Sequence, residues 1–344
     1  MSLEQIIILS SCFALVLFLL TPFLAQKPWI LRFLAKEIRE RDSHQKPTPN
    51  VGGIVTFLGF TATIAISSAG LNVTAYGLIF YFAMLGLIDD LFDIHGVKKI
   101  FLFFSGVCLY FAVFDISESL DKLPGGKFST IRTFYILLSI VFLFVIINSS
   151  NTIDGIDLLC ITYFIVNFLA LSFLFHRFKD SEGFIVCAVV IILTIPFLFY
   201  NTPKATVFLG DCGSLFLGSL MSVLLMMLYE SGGLNGFHVF LLFGGIAVLD
   251  NAVVSVTRML NGSAPWRSDK FHIHHILVNE FGYWSALIIL ILAQCFIVTL
   301  TALFIVKRPD YLATLFMLSA LVYVGVQIKH FRYVKEQLAK EVSP

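Results

Sequence analysis

The sequence predicts an all-α protein that crosses a membrane about eleven times. Of its 344 residues, 58% are hydrophobic, only 13% are charged and 37 are Phe, which lies outside the composition of soluble domains. Charge-free runs at residues 5–26, 133–153, 183–203, 212–229 and 281–306 each reach the length of about 18 residues that a spanning helix needs. They lack the alternation over about ten residues that marks a β-barrel strand.

Apolar runs between polar breaks define the candidate helices. These runs cover residues 6–25, 52–69, 74–89, 99–114, 131–148, 159–175, 184–200, 209–229, 237–258, 284–306 and 311–329. No basic residue precedes the first run and no small-residue cleavage pattern follows it, so we expect a retained helix and not a signal peptide. The six cysteines stand singly, which argues against a disulfide framework or a thiolate zinc site. We expect one membrane domain over residues 1–344.

The basic residues predict how these helices are oriented. If the break after the first run is cytoplasmic, 16 Lys and Arg residues fall on that side and 7 on the other. The N-terminus is therefore expected outside and the C-terminus in the cytoplasm. The same orientation places the acidic clusters on the cytoplasmic side, although acids did not enter the count. Acidic helix caps without a function would not be expected to lie all on one side of the membrane, so we treat the clusters as one site.

The first polar stretch is Asp89-Asp90-Leu-Phe-Asp93, which follows an uncharged run from residue 47 to 88. On a helix, Asp89 and Asp93 share one face and Asp90 lies beside them. Carboxylates at the edge of a bilayer are costly without a partner, which favours a divalent cation or a basic side chain. A solvated acidic cap at the end of a membrane helix is the alternative.

Two further stretches carry oxygen-bearing side chains. The second contains Asn151, Asp154 and Asp157, which one helical turn would align. Hard oxygen ligands suit Mg²⁺, which binds one or two protein groups and completes its shell with water and phosphate oxygens. A generic Asn/Gly loop is the alternative. The third, Gly-Asp-Cys-Gly-Ser, places Asp211 at the start of an apolar helix, where N-capping explains it equally well.

Two loops complete the polar pattern. Residues 27–46 mix apolar and charged side chains, as an amphipathic helix on the inner surface would. The turn that follows, Lys-Pro-Thr-Pro-Asn-Val-Gly-Gly from Lys46 to Gly53, exposes backbone N–H groups and offers a Lys to a phosphate, or is simply a helix-entry turn. The loop of residues 261–275 concentrates histidines without zinc-ligand spacing. We interpret it as a donor of hydrogen bonds to phosphate or sugar oxygens, with a solvated loop as the alternative.

Taken together, these motifs resemble the polyprenyl-phosphate N-acetylhexosamine-1-phosphate transferase family. The chain carries Lys-x-Thr-Pro-x-x-Gly-Gly, Asp-Asp-x-x-Asp, Asn-x-x-Asp-Gly-Ile-Asp, Gly-Asp-x-Gly-Ser and a histidine-rich loop in that order, over about residues 44–275. The ending Arg-Ser-Asp-Lys-Phe-His-Ile-His-His resembles the WecA-type bacterial branch, whereas the MraY branch has three consecutive histidines. The family's ten or eleven helices agree with the number of apolar runs. One departure is Leu158-Leu159 after Asp157, where the family often has Asp-Gly-Leu.

The resemblance implies Mg²⁺-dependent transfer, with Mn²⁺ able to substitute, of N-acetylhexosamine 1-phosphate from a UDP-sugar to undecaprenyl phosphate, with release of UMP. The site would lie at the cytoplasmic face of a bacterial inner membrane. The expected sugar is GlcNAc, with GalNAc or a 6-deoxy amino sugar left open, and the expected pathway makes O-antigen or a related surface polysaccharide. Membrane lipid is an expected partner and nucleic acid is not; dimers occur in the family.

The resemblance also implies roles by position. Catalysis falls to Asp89, Asp90, Asp154 and Asp157, with one of the first pair deprotonating or positioning the lipid phosphate. Metal binding falls to Asn151 and Asp211. Substrate contacts fall to Lys46, Thr48, Asp93, Asp157, Arg267, His272, His274 and His275. An ion-coupled secondary transporter is the alternative of a different class, and it would need acids near mid-helix and on both faces.

Overall fold

The computed structural model describes residues 1–35, 47–67, 71–94, 96–113, 130–230, 238–260, 262, 264–266 and 271–307. Twelve helices form in these residues. They are α1 (Leu3–Ala25), α2 (Pro28–Leu34), α3 (Gly52–Ser67), α4 (Val73–Phe92), α5 (Gly96–Val113), α6 (Thr130–Thr152), α7 (Leu159–Arg177), α8 (Ser181–Tyr200), α9 (Gly210–Glu230), α10 (His238–Leu260), α11 (Ile273–Phe281) and α12 (Tyr283–Lys307). Ten of the eleven predicted apolar runs coincide with a helix, and residues 311–329 lie outside the described residues.

Seven of the described helices are long and apolar enough to cross a membrane, namely α1, α4, α7, α8, α9, α10 and α12. Two shorter apolar helical segments, Gly52–Ser67 and Ile136–Thr152, accompany them. Within the described ranges, β-structure is limited to one isolated bridge between Ala35 and Pro49. The protein is therefore an all-helical, multi-pass membrane protein.

The predicted amphipathic helix over residues 27–46 is shorter where the structure describes it. Helix α2 covers only Pro28–Leu34, and it ends because the next residue, Ala35, adopts an extended backbone and pairs with Pro49. Of its apolar residues, Ile30 is buried in the protein and Trp29 is exposed. Residues 36–46, which include Lys46, lie outside the described residues.

Helix α9 is the centre of the bundle. In the apolar stretch of α9 that could span the membrane, 89% is buried inside the protein, against 22% for the peripheral α1. Glycines allow its neighbours to approach closely: a Cβ at Gly86 of α4 would overlap the backbone of Asp211, and one at Gly53 of α3 would overlap the backbone of Gly213. This packing holds the N-terminus of α9 against the ends of α3 and α4 that carry the polar motifs.

Helix α10 is broken at Gly245, whose φ of 45° and ψ of −126° are not helical. Polar side chains of neighbouring helices satisfy the interrupted backbone. Gln294 of α12 accepts a hydrogen bond from the Ile246 N–H (3.1 Å) and donates one to the Phe243 carbonyl (3.1 Å). Tyr163 of α7 donates to the carbonyl of Gly244 (2.9 Å). A break in a membrane helix needs such partners, because lipid offers none.

Candidate active site

Two carboxylates from different helices converge on one ammonium group. Asp89 lies in the last turn of α4, Asp211 in the first turn of α9 and Lys99 in the first turn of α5. The Lys99 Nζ atom forms an ion pair with Asp89 Oδ2 and lies 2.8 Å from Asp211 Oδ2. The other oxygen of Asp89 accepts a hydrogen bond from the Ile94 N–H (2.7 Å), which fixes the orientation of this carboxylate.

Asn151, at the end of α6, joins the same group. Its Nδ2 donates to Asp211 Oδ1 (2.9 Å) and to Ser214 Oγ (3.2 Å). The structure therefore brings together the two residues that the resemblance assigned to the metal, although they are 60 positions apart in sequence. We call Asp89, Lys99, Asn151 and Asp211 the acidic cluster.

Asp90 has a different partner from its neighbour Asp89. Its carboxylate accepts hydrogen bonds from the backbone N–H groups of Asp211 (3.0 Å) and Cys212 (2.9 Å) and from Asn50 Nδ2 (2.6 Å). Asp90 thus caps α9 from a neighbouring helix, where a negative charge is favoured by the helix dipole. The alternative that Asp211 is itself the N-cap is wrong, because Asp90 fills that position and leaves the Asp211 side chain to Lys99 and Asn151.

Gly210 makes this arrangement possible. It precedes Asp211 with a φ of +72°, and a Cβ at this position would press against the Asp90 carboxylate. Glycine adopts this backbone conformation without steric cost. The Gly-Asp pair of the motif therefore supplies a tight turn first and a carboxylate second.

The predicted helical alignment of Asn151, Asp154 and Asp157 is wrong. Helix α6 ends at Thr152, and the chain then turns until Leu158, whose φ is +63°. Asp154 is half-buried in this turn. Asp157 is buried and its Oδ2 accepts a hydrogen bond from the backbone N–H of Ala205 (3.3 Å). Asp157 therefore faces the loop between α8 and α9 and does not share a helical face with Asn151.

The turn before α3 is a helix entry whose N–H groups are already engaged. The N–H of Gly52 donates to the Phe208 carbonyl (3.0 Å) and that of Gly53 to the Leu209 carbonyl (2.9 Å). The expectation that these groups are exposed for a phosphate is therefore wrong. Thr48 is buried and donates to the carbonyl of Ala205 (3.4 Å), so its hydroxyl also fastens this turn to the loop before α9.

A second charged group lies around the histidine-rich segment. His272 Nδ1 lies 2.7 Å from Asp250 Oδ2, and Arg258 Nη2 lies 3.3 Å from His272 Nε2. Because a guanidinium group can only donate, Nε2 must accept and the ring proton is on Nδ1, where it is donated to Asp250. The other Asp250 oxygen accepts from the Ile273 N–H (2.9 Å), and Arg258 also donates to the Pro265 carbonyl (2.6 Å). We call Asp250, Arg258 and His272 the histidine latch.

His274 connects the latch to the turn after α6. Its ring is stacked on His272, with centroids 5.6 Å apart, and lies against Gly155, where any Cβ would overlap Nε2. Burial, reinforced by the neighbouring His275, lowers the pKa of His274 to about 3, so the ring is neutral at neutral pH. His275 is only half-buried and its ring centroid lies 4.3 Å from that of His274.

The remaining predicted site residues are placed less centrally. Asp93 is exposed just beyond α4, in a left-handed conformation with a φ of 49°, so it does not continue the helical face of Asp89. Arg267, like Lys46, lies outside the described residues.

Sequence reasoning missed Lys99 and Arg258 as site residues, and it counted Asp250 among the cytoplasmic-side acids of the shared site without giving it a role. It used Lys99 and Arg258 only to orient the helices. A signal was present for Arg258 and Asp250, because ionisable residues eight positions apart in an apolar helix demand partners. Lys99 gave no such signal, since a basic residue at a helix end is ordinary.

The acidic cluster fits a divalent cation of the Mg²⁺ type. Among the described residues, no group of three or more His, Cys, Asp or Glu side chains forms a complete protein cage for a metal. Mg²⁺ does not need one, because it binds one or two carboxylates and keeps water or phosphate oxygens. The Lys99 ammonium between two carboxylates shows that this position already accommodates a positive charge.

Residues 72–229 match the model of Glycosyl transferase family 4. This segment contains the whole acidic cluster, whereas the histidine latch lies beyond it. The fold is that of a polytopic membrane protein, and over this segment the chain is similar to a glycosyltransferase family.

Curated relatives extend the match over most of the chain. It is 28% identical over 289 residues to the probable undecaprenyl-phosphate N-acetylglucosaminyl 1-phosphate transferase of Bacillus subtilis (strain 168), covering 82% of this chain and 80% of that protein. It is 26% identical over 308 residues to the undecaprenyl-phosphate alpha-N-acetylglucosaminyl 1-phosphate transferase of Escherichia coli O157:H7, covering 84% and 82%. For the decaprenyl-phosphate N-acetylglucosaminephosphotransferase of Mycobacterium leprae (strain TN), the identity is 25% over 292 residues, covering 74% and 72%.

The family model and these relatives bear out the resemblance, drawn from the motifs, to the polyprenyl-phosphate N-acetylhexosamine-1-phosphate transferases of the MraY/WecA type.

Proposed function

We propose that this protein transfers N-acetylglucosamine 1-phosphate from its UDP-sugar to undecaprenyl phosphate and releases UMP. The observation that carries the proposal is the convergence of Asp89 and Asp211 on the Lys99 ammonium group, with Asn151 from a third helix donating a hydrogen bond to Asp211. The names of the relatives support both the polyprenyl phosphate acceptor and the sugar 1-phosphate group.

The chemistry explains why such a cluster is needed. Both substrates carry phosphate groups, so their approach is opposed by charge repulsion that grows as the new bond forms. A divalent cation held by Asp211 and Asn151 would neutralise charge on the diphosphate and is the cofactor we propose, as Mg²⁺ or Mn²⁺. The chain's own contribution is to hold Asp211 in place through Asn151 and through the helix cap that Asp90 provides.

The two paired aspartates receive different roles in this proposal. Asp90 is committed to two backbone N–H groups and to Asn50, so we assign it to positioning. Asp89 faces the cationic position, so we assign to it the acceptance of the proton from the lipid phosphate, or the placement of that phosphate.

The location of the cluster suits substrates that arrive from different phases. It is formed by the last turns of α4 and α6 and the first turns of α5 and α9, which places it at one end of the bundle. A lipid phosphate can reach this boundary within the bilayer, while a nucleotide sugar reaches it from water. We propose that this end faces the cytoplasm of a bacterial inner membrane, in line with the distribution of Lys and Arg.

Release of UMP by the purified protein tests the proposal. UDP-GlcNAc, UDP-GalNAc and a UDP-linked 6-deoxy amino sugar are each offered with undecaprenyl phosphate, with and without EDTA. We expect UMP with UDP-GlcNAc, loss of activity in EDTA and recovery on adding Mg²⁺ or Mn²⁺. Release of UMP with another UDP-sugar alone would keep the proposed chemistry. It would change the sugar that we propose as the first of an O-antigen or related surface glycan.

A transporter is the alternative that this assay must exclude. Buried polar groups at the α10 break, Asn167 and Gln294, are uncharged, and the acids of the cluster lie at helix ends, which supports an enzyme. The buried acid within α10, Asp250, is held by His272 and by the Ile273 N–H. Uptake of a UDP-sugar into vesicles containing the protein, without UMP release, would contradict the proposed function.

A further inference from the structure

Lys99 is the unexpected member of the acidic cluster. Its neighbour Lys98 is exposed, whereas the Lys99 side chain keeps only 18% exposure and turns toward Asp89 and Asp211. The Asp89 and Asp211 carboxylates also lie close enough to interact with each other. One monovalent cation therefore holds together two acids that would otherwise repel.

A divalent cation on Asp211 would compete with this arrangement. Lys99 occupies Asp211 Oδ2, while Asn151 occupies Oδ1. A cation placed against the same oxygen as an ammonium group is repelled by it, so one of the two must move. A lysine can move, because its charge is carried on a flexible stem of four carbons.

We propose that Lys99 is a resident counter-cation, which neutralises Asp89 and Asp211 in the metal-free protein and is displaced from Asp211 when a divalent cation binds. The inference rests on the proposed function, because it takes the metal dependence as given. It explains how two acids remain together at the membrane boundary between catalytic cycles. It also means that metal binding is an exchange of one cation for another, and is weaker for that reason.

Direct Mn²⁺ binding to the purified protein tests the exchange, with free Mn²⁺ followed by electron paramagnetic resonance. Lys99→Met removes the charge and keeps an unbranched side chain, and Lys98→Met is the matched control. We expect Lys99→Met to bind Mn²⁺ more tightly, by up to about fivefold, because a partly exposed ion pair no longer competes. Lys98→Met is expected to match the wild type. Unchanged or weaker binding by Lys99→Met would overturn the proposal, since Lys99 would then act as a brace for the metal site.

Thermal unfolding supplies a second readout that does not depend on activity. The increase in Tm caused by Mn²⁺ should be larger for Lys99→Met than for the wild type or Lys98→Met. If Lys99→Met is recovered folded only when Mn²⁺ is present during purification, the exchange is supported; equal failure with and without Mn²⁺ overturns it. Failure of the proposed function is distinguished by the UMP assay: a wild type that shows the Mn²⁺ exchange but releases no UMP would reject the transferase and keep the counter-cation.

Discussion

The acidic cluster and the histidine latch both pair carboxylates with donor groups, but they differ in the number of acids and in side-chain exposure. In the cluster, one ammonium group contacts two acids; the side chains of Lys99 and Asp211 retain 18% and 16% exposure, and that of Asp89 retains 5%. In the latch, one acid accepts from both a ring N–H and a backbone N–H, and His272 and Asp250 retain only 10% and 6%. Both ring nitrogens of His272 are engaged.

We infer from this difference that the acidic cluster can exchange its cation, whereas the histidine latch stabilises the fold. A partly exposed ion pair such as Lys99–Asp211 contributes about 0–1 kcal/mol and is readily exchanged. A buried donor that loses its acceptor costs about 1–3 kcal/mol. We therefore expect substitutions in the acidic cluster to alter binding and rate, and substitutions in the latch to alter the free energy of unfolding.

The largest effect is expected for Asp211→Asn. The change keeps the oxygen that accepts from Asn151 and removes the charge that would hold a divalent cation. The rate of UMP release should fall by at least about 10²-fold, as for the loss of a group that stabilises transition-state charge. Glu182→Gln is the matched control, because this exposed carboxylate lies at the far end of α8, roughly 28 Å along the helix. Activity in purified, folded Asp211→Asn would remove its metal role.

Asp250→Leu tests the latch with a side chain that has the same branching and number of heavy atoms. It leaves the His272 Nδ1–H and the Ile273 N–H without their acceptor, so the free energy of unfolding should fall by about 2–4 kcal/mol. The Mn²⁺ affinity of the folded fraction should remain within about twofold of the wild type. Thermal unfolding and Mn²⁺ titration measure the two quantities.

Asp89→Asn is the corresponding substitution in the acidic cluster, and we expect the opposite result. It should cost little stability, because it also relieves repulsion with Asp211, while UMP release falls sharply. If Asp250→Leu instead weakens Mn²⁺ binding and leaves the Tm unchanged, the distinction between the two clusters is lost.

Asp90→Ala should have an intermediate effect. It removes the cap of α9, which we expect to lower the free energy of unfolding by about 1–2 kcal/mol. Because Asp211 is the second residue of this helix, the rate of UMP release should also fall. Asp90→Asn keeps one acceptor and should recover part of both quantities. Equal loss of activity in the Ala and Asn variants, with unchanged stability, would instead make Asp90 a catalytic residue.

The positions of the membrane helices followed from sequence because their cause is local. A run such as residues 184–200 is charge-free and long enough to span, and it forms α8 between Ser181 and Tyr200. The same reasoning could not detect the break at Gly245. The residue that satisfies it, Gln294, is 48 positions away from Ile246, and only the packing of α12 brings them together.

The candidate site was predicted as a set of residues but not as a set of contacts. Motif spacing identified Asp89, Asp90 and Asp211, yet adjacent aspartates on one helix look identical in sequence. Their separation into a cation-facing group and a helix cap depends on how α9 approaches α4. Asp157 shows the same limit: a spacing that suits one helical turn was interrupted by the end of α6 at Thr152, which the local pattern did not signal.

The smallest effect is a pH dependence carried by His274. Its pKa is lowered from 6.5 to about 3 by burial and by His275 and His272, against the opposing pull of Asp250. Between these pH values the unfolded chain binds more protons than the folded protein, so stability falls as the pH drops below about 6.5, by at most roughly 1.4 kcal/mol per pH unit. His274→Leu cannot take up that proton. Its free energy of unfolding, measured from pH 7 to pH 5, should therefore decline less steeply than that of the wild type, and equal slopes would show that the buried ring is not the cause.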